Sequence, residues 1–241
     1  MFWKTNYGLA LGSARFVHIV IKYLEEKNIK ITEISTSMAI VAFLAFKNSS
    51  EMLEIAKELK ILKLVDLDFK FFVKNKVVKK LRTYFDTKIE DLKIKLKIVA
   101  TDLTERKVFE SDLVDAIRAS ISLPGVFKPY KIDNFFIDVV CNLPIDELTV
   151  RNKIVSAINA PVPLNSKKKF LWFEVNKSFF NLNYQILYRA VVGMMIQNEK
   201  ISIEKATNKQ ILNFDFELFT NFSEAERFAE IYEEAKKSLK I

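Results

Sequence analysis

Ser37 stands where two kinds of sequence meet. Ile31-Thr-Glu-Ile34 before it is apolar and β-branched and favours a strand, whereas Met38 to Phe46 is rich in Ala, Met and Leu and favours a helix. A serine at a sharp strand-to-helix turn can act as an exposed nucleophile above the positive end of the helix. It can also be a plain N-cap in a βα loop. Two further positions have the character to work with it. Gly12-Ser13-Ala14-Arg15 is a small-residue loop after an apolar strand, Tyr7 to Leu11, and Asp138 ends another that begins at Phe135. Active sites of open α/β sheets gather at the carboxyl ends of strands, and all three positions fall there.

The elements that must hold these positions alternate β and α. After the first strand, Val17, Val20, Ile21 and Leu24 share one helical face, Asn28 is a stop, and a second strand over Ile29–Ile34 leads into Ser37. Such an order implies parallel strands joined by a right-handed crossover. Ser49-Ser50-Glu51 is expected to cap a helix through Leu59, and Asn75 to Phe85 forms a second peripheral helix. The alternation of Lys with apolar residues over Leu92–Ile98 predicts a strand with one polar face, continuing to Asp102, with Lys107–Glu110 as its hairpin partner. Leu113–Ser120 reads as a short helix, Leu123–Tyr130 as a constrained loop, and Ile154–Ile158 as a strand before Pro161–Pro163.

Phe170–Val175 is expected to add a strand, after which the final third is mostly helical. That third holds a long apolar helix, Phe179–Gln197, and an amphipathic one started by the capping box Ser223-Glu-Ala-Glu226 and bearing Phe228, Ile231, Tyr232, Ala235 and Leu239. No low-complexity linker or internal repeat interrupts the chain. The expected fold class is α/β in a single domain, 1–241, with helices on both faces of a mostly parallel sheet. Its motif-bearing core is 7–150 and its helical C-terminal part 176–241.

Composition narrows the function classes. Half of the 241 residues are hydrophobic, enough for a large core. The longest apolar run, Met38–Phe46, is about half a membrane span, and the N-terminus shows no signal-peptide pattern. One cysteine, Cys141, excludes an internal disulfide, so a cytoplasmic address is expected. With a single histidine as well, the usual zinc ligand sets are out of reach. The net charge of +8 invites nucleic acid or an anionic lipid surface. The lysines are scattered, with only Lys167-Lys168-Lys169 as a tight run, and no nucleic-acid motif accompanies them. Nucleic acid is therefore not expected, and peripheral contact with an anionic membrane is the better expectation.

Several segments then carry a resemblance. They are Gly8-Leu-Ala-Leu-Gly-Ser-Ala-Arg15, the helix with His18-Ile19 and Leu24-Glu25-Glu26, and Thr36-Ser37-Met38. Further on come Ala116-Ile-Arg-Ala-Ser-Ile-Ser-Leu-Pro-Gly-Val-Phe127, Phe136-Ile137-Asp138 and Asn142-Leu143-Pro144. In order and spacing, over about the first 150 residues, the chain resembles the patatin-like phospholipase family, bacterial serine acyl hydrolases. The resemblance implies a three-layer α/β/α fold and a Ser–Asp dyad. Ser37 would form the acyl-enzyme, Asp138 would act as base, and the backbone of Gly12, Ser13, Ala14 and Arg15 would hold the oxyanion. A serine hydroxyl needs a base to take its proton, and a carboxylate can do so when desolvation raises its pKa. The implied activity is phospholipase A-type cleavage of phospholipid or lysophospholipid esters, without metal or cofactor. His18 reads as a structural residue, buried with a hydrogen-bond partner. Some of the 21 phenylalanines could line an acyl pocket.

The chain also departs from the family pattern. Where the family has Gly-x-Ser-x-Gly, this chain has Ser35-Thr36-Ser37-Met38-Ala39; Asp138 is followed by Val139 rather than glycine, and Gly12 alone remains in the oxyanion loop. The whole chain has four glycines, against roughly 17 at average usage. Side chains at Ser35 and Ala39 are expected to crowd the turn. The sequence reads as the pattern with glycines deleted, which predicts abnormal chain geometry at Ser35–Thr36, Met38–Ala39 and Asp138–Val139. The rival functional expectation is an inactive lipid-binding or scaffold protein on the same fold.

Overall fold

A computed structural model describes residues 6–11, 17–37, 48–51, 82, 88–102, 106–109, 112–120, 130–131, 135–137, 143–158, 197–214 and 228–238. The chain is an α/β protein built on one sheet. Its strands are β1 (Tyr7–Leu11), β2 (Ile31–Thr36), β3 (Lys95–Asp102), β4 (Arg106–Phe109), β5 (Tyr130–Lys131), β6 (Phe135–Ile137), β7 (Asn152–Ile158) and β8 (Lys209–Phe214). The order is β5-β6-β3-β2-β1-β7-β8, with β4 also paired to β3. The five strands β3-β2-β1-β7-β8 are parallel to their neighbours. The other pairings, β3 with β4, β3 with β6 and β5 with β6, are antiparallel. Helices are α1 (Val17–Glu26), α2 (Leu113–Ser120), α3 (197–205) and α4 (Phe228–Ser238).

Helix α1 ends where the sequence says it must. Asn28 has φ 52°, a left-handed conformation that asparagine tolerates. Its N–H donates to the Glu25 carbonyl and that of Ile29 to Leu24, both at 3.0 Å, which closes the helix in a Schellman turn. That turn consumes Asn28 and Ile29, so β2 starts at Ile31 and runs on to Thr36, two residues beyond the expected Ile34. Strand β2 pairs in register through Ser35 and Thr36 with β1 on one side and β3 on the other. Ser35 and Thr36 are thus regular strand residues of β2. Met38–Ala39 and Asp138–Val139 lie outside the described residues.

Register sorts the side chains by face. Gly8 and Ala10 of β1, Glu33 and Ser35 of β2, Lys95 and Lys97 of β3, and Lys153 and Val155 of β7 share one face. Across it lies the segment 143–150, where Leu143, Ile145 and Leu148 pack with Ala10 and Val155, and Ile203, Ala206 and Ile211 flank them. Leu9, Leu11, Ile34, Ile98, Ile154 and Leu212 point to the opposite face and are fully buried, so both faces are covered. On the periphery α1 packs on α4, α4 on β8, and α2 on β3, β5 and β6.

One strand adds to the expected elements: within the final third, expected to be mostly helical, β8 pairs with β7 from Lys209 to Phe214. Its short stretch Gln-Ile-Leu-Asn shows no clear period, and the strand state comes from the neighbour. The expected loop Leu123–Tyr130 ends in a strand, since Tyr130 opens β5. The helix start near residue 49 is capped by Asn48 and not by Ser49. The Asn48 side chain accepts the Glu51 N–H at 2.9 Å, the N-cap bond, and its amide donates to the Glu51 carboxylate at 3.0 Å. Ser49 gives its N–H and hydroxyl to Glu25 of α1 instead.

The helix Asn75–Phe85 beyond Arg82, the strand Phe170–Val175, the apolar helix before Gln197, the capping box Ser223–Glu226 and the run Lys167–Lys169 lie outside the described residues. No helix among the described residues is long and apolar enough to cross a membrane.

Candidate active site

Ser37 follows the last residue of β2, as the sequence predicts, but it is only 4% exposed. Ser37 is thus buried, not the exposed serine that a sharp strand-to-helix turn can present. Ser37 continues a strand central in the sheet, flanked by β1 and β3, and such positions are shielded on both faces. Its predecessor is pinned firmly. Thr36 is the register partner of Leu11, and its hydroxyl donates to the Leu11 carbonyl at 3.1 Å. The chains leading to Ser37 and to Gly12 are thus bonded to one another one residue before each site position.

Strand β6 meets β2 from the other direction. Ile98 of β3 pairs with Thr36 on one edge and Phe109 of β4 on the other. Thr101 pairs with Arg106 of β4 and with Ile137 of β6. Since β4 occupies one edge throughout, β2 and β6 share the other. They run antiparallel and end head-on, with their last paired positions three residues of β3 apart, about 10 Å. An α/β sheet ordinarily gathers its site at the ends of parallel strands. Here one contributor arrives from an antiparallel strand whose end points back at the others.

The segment after β6 is tied to β2 at two depths. The Ser35 hydroxyl donates to the Pro144 carbonyl at 2.6 Å, and Ser35 is fully buried. Two residues earlier, Glu33 is 1% exposed. Its carboxylate accepts the N–H groups of Thr149 at 2.7 Å and Val150 at 3.2 Å, and the Thr149 hydroxyl at 3.1 Å. Lys95 and Lys97 stand 3.5 and 3.7 Å from it, and Lys97 also donates to the Glu147 carbonyl. Burial pushes the Glu33 carboxyl up, but the two N–H groups, the Thr149 hydroxyl and the Lys97 charge outweigh it and hold the group below the usual glutamate range.

Helix α2, which overlaps the start of the Ala116–Phe127 run, is anchored separately. The Tyr130 hydroxyl donates to Asp115 at 2.8 Å, and the Arg118 guanidinium lies over the Tyr130 ring at 5.7 Å. Burial and the adjoining Asp115 carboxylate push the Tyr130 phenol up to about 12. Arg82 reaches Asp112 at 3.2 Å across the same helix start.

Asp138 and the oxyanion-loop residues Gly12, Ser13, Ala14 and Arg15 lie outside the described residues, as does the side chain of His18 on α1. Among the described residues no cluster of three or more His, Cys, Asp or Glu is placed to hold a metal ion. Sequence reasoning missed Glu33, Ser35 and Thr149. The signal was available at Glu33, a charged residue at the centre of an apolar strand, since a buried carboxylate must find partners. Lys97, on the expected polar face of its strand, adds its charge to the Thr149 and Val150 hydrogen bonds, while Lys95 stays more than half exposed. No protein-family model matches the chain.

Proposed function

We propose that the chain is a serine ester hydrolase of the patatin-like type, with a three-layer α/β/α fold, that releases acyl chains from phospholipid or lysophospholipid. The observation that carries this reading is the head-on approach of β2 and β6 along one edge of β3. Ser37 is one residue beyond Thr36, and Asp138 one peptide bond beyond Ile137, so each chain needs a single further step to close most of the gap. A carboxylate beside a buried serine is what a histidine-free dyad requires. Burial raises the carboxylate's affinity for the proton, and the freed serine oxygen attacks the ester carbonyl. The Thr36–Leu11 bond brings the start of the Gly12–Arg15 loop level with the serine, where backbone N–H groups would stabilise the tetrahedral oxyanion. The tetrahedral intermediate would collapse by breaking the ester C–O bond as Asp138 passes the serine proton to the leaving alcohol; water, giving a proton to Asp138, would then attack the acyl-Ser37 carbonyl and release the fatty acid, Ser37 taking that proton back. A basic surface would favour peripheral contact with an anionic membrane from a cytoplasmic location.

The test is labelling by a fluorophosphonate probe. Wild type should be labelled, Ser37→Ala should not, and Asp138→Asn should slow ester hydrolysis about 10²–10⁴-fold. Labelling that persists in Ser37→Ala would sink the assignment. The burial of Ser37 favours one second reading, a lipid-binding or scaffold protein on the same fold without catalysis. Vesicle binding by a wild type that no phosphonate labels would mark that alternative.

A further inference from the structure

We infer that the amino end of the parallel strands is the face by which the chain meets an anionic bilayer, so that the Ser37 end points away from the lipid. The face rests on the membrane contact proposed above, and the orientation rests also on the reading of Ser37. Cations that are scattered in the sequence are gathered here by register. Tyr7 pairs with Ile31 on one side and Asn152 on the other, so Lys30 and Arg151 flank β1 one residue below a common level, about 10 Å apart. Lys95 pairs with Glu33, which puts Lys93 at the same end of the neighbouring strand. Lys30, Lys93 and Arg151 are exposed, and among the described residues no ion pair or hydrogen bond engages their side chains. Other lysines of this end are engaged. Lys97 serves Glu33 and the Glu147 carbonyl, and Lys209 donates to the carbonyls of Ile203 and Ala206 at the end of α3. Among the described residues, Glu33 is the one carboxylate within two positions of these strand starts, and it is buried. Glu90, in the turn before Lys93, pairs with Lys88 at 3.4 Å. The rim therefore presents positive charge with little to offset it.

The residues between the cations say what that charge meets. Ile29, Ile31, Leu92, Ile94 and Val150 are only partly buried, and Tyr7 is the one aromatic within two positions of these strand starts among the described residues. Aliphatic groups and a tyrosine interleaved with Lys and Arg suit the headgroup level of a bilayer, where phosphates pair the cations. A single-stranded nucleic acid would call for successive aromatic platforms, which the rim does not offer. Ser37 lies seven residues along the chain from Lys30, about 23 Å of extended strand. A phospholipid seated in the bilayer beneath the rim cannot span that distance. The ester must reach the serine through water, and among the proposed substrates the single-chained lysophospholipid is the class that dissolves as a monomer.

The experiment is co-sedimentation of the full chain with vesicles of phosphatidylcholine alone, and of phosphatidylcholine with an equal part of phosphatidylglycerol. Wild type should bind the mixed vesicles and not the neutral ones. Each cation near an anionic surface changes partition about fivefold, so Lys30→Gln, Lys93→Gln and Arg151→Gln together should lower it about 100-fold. Arg106→Gln removes a charge opposite Thr101, at the carboxyl end of β3, and should leave binding within about twofold. The docking face is overturned by a wild type that ignores the mixed vesicles, by a triple variant that binds like wild type, or by an Arg106→Gln loss equal to that of Arg151→Gln. Single-stranded DNA bound more tightly than the vesicles at equal phosphate concentration overturns it too, in favour of a nucleic-acid face. With mixed vesicles bound, dissolved lysophosphatidylcholine should be hydrolysed and the vesicle phosphatidylglycerol left intact; faster hydrolysis of the phosphatidylglycerol overturns the orientation. Rim-dependent binding by a chain that neither cleaves lysophosphatidylcholine nor reacts with a fluorophosphonate overturns the proposed function and leaves the docking face standing.

Discussion

Glu26 and Glu33 sit seven positions apart and both face lysines, yet the two regions they hold are built on different physics. At the end of α1, Glu26 meets Lys236 of α4 at 2.6 Å, with both side chains more than a third exposed. On β2, Glu33 meets Lys95 and Lys97 only at 3.5 and 3.7 Å, but it is buried and takes three further hydrogen bonds from Thr149 and Val150. The shorter contact is the weaker one. Water screens the exposed pair and competes for both of its ends. The buried carboxylate has no such substitute, so every partner it loses is left uncompensated. Close to Ser37, therefore, register is fixed by multiply satisfied polar groups, whereas the terminal helix is held mainly by the packing of Tyr232 and Ala235.

The largest effect expected from this contrast is that of Glu33→Ala. It strands two N–H groups and the Lys97 charge, and chemical denaturation should show a loss of about 3–5 kcal/mol. A loss no larger than that of a surface variant would break the comparison. Glu33→Gln sharpens it through pH. The native partners hold the Glu33 carboxyl below its ordinary 4.5, so the folded chain binds that proton more weakly than the unfolded chain. Its contribution is fully present above the unfolded pKa and is lost as pH falls from about 4.5 through the lower folded value. The stability gap between wild type and Glu33→Gln should be flat above about pH 5.5 and narrow steadily below pH 4.5.

Next in size is Gly8→Ala, on the same sheet face. A Cβ there would stand 2.5 Å from Val150 Cγ2 and 3.1 and 3.2 Å from the Leu148 methyls. The segment cannot retreat freely, because Glu33 holds Thr149 and Val150 by their backbone. Overpacking of this kind should destabilise by about 1–3 kcal/mol. A neutral result by thermal melting would show that the clasp yields more easily than its hydrogen bonds imply.

How much of this was legible depends on whether the signal was local. Tyr7–Leu11, Val17–Glu26 with its stop at Asn28, and Leu113–Ser120 follow from apolar spacing and one left-handed asparagine, and the structure has them at those residues. Strand β8 was not legible, since its short stretch Gln210–Asn213 carries no clear period and takes its state from β7. The position of Ser37 at a strand end followed from the switch in composition around it. Its burial did not, because that depends on which strands flank β2. The clasp was half visible: Glu33 in an apolar strand demanded partners, but Thr149 and Val150 lie more than a hundred residues away, and nothing in sequence spacing links them. The same holds for the head-on ending of β2 and β6, which exists only because three strands share the two edges of β3.

The smallest effect belongs to the exposed region, and it is the one that separates distance from strength. Lys236→Ala removes the shorter of the two ion pairs, and it also removes a cation lying 5.6 Å from the Tyr232 ring. Helix α4 keeps its buried contacts through Tyr232 and Ala235, and Lys22 still covers the Tyr232 ring at 4.1 Å. Glu26 keeps the neighbouring Tyr232 hydroxyl and Lys22 charge, with water solvating it at an exposed helix end. The melting temperature should stay within about 2 °C of wild type, and added salt should erase what difference there is. A fall approaching that of Glu33→Ala would mean that the terminal helix depends on charge rather than packing, and that proximity and not burial sets the worth of these pairs.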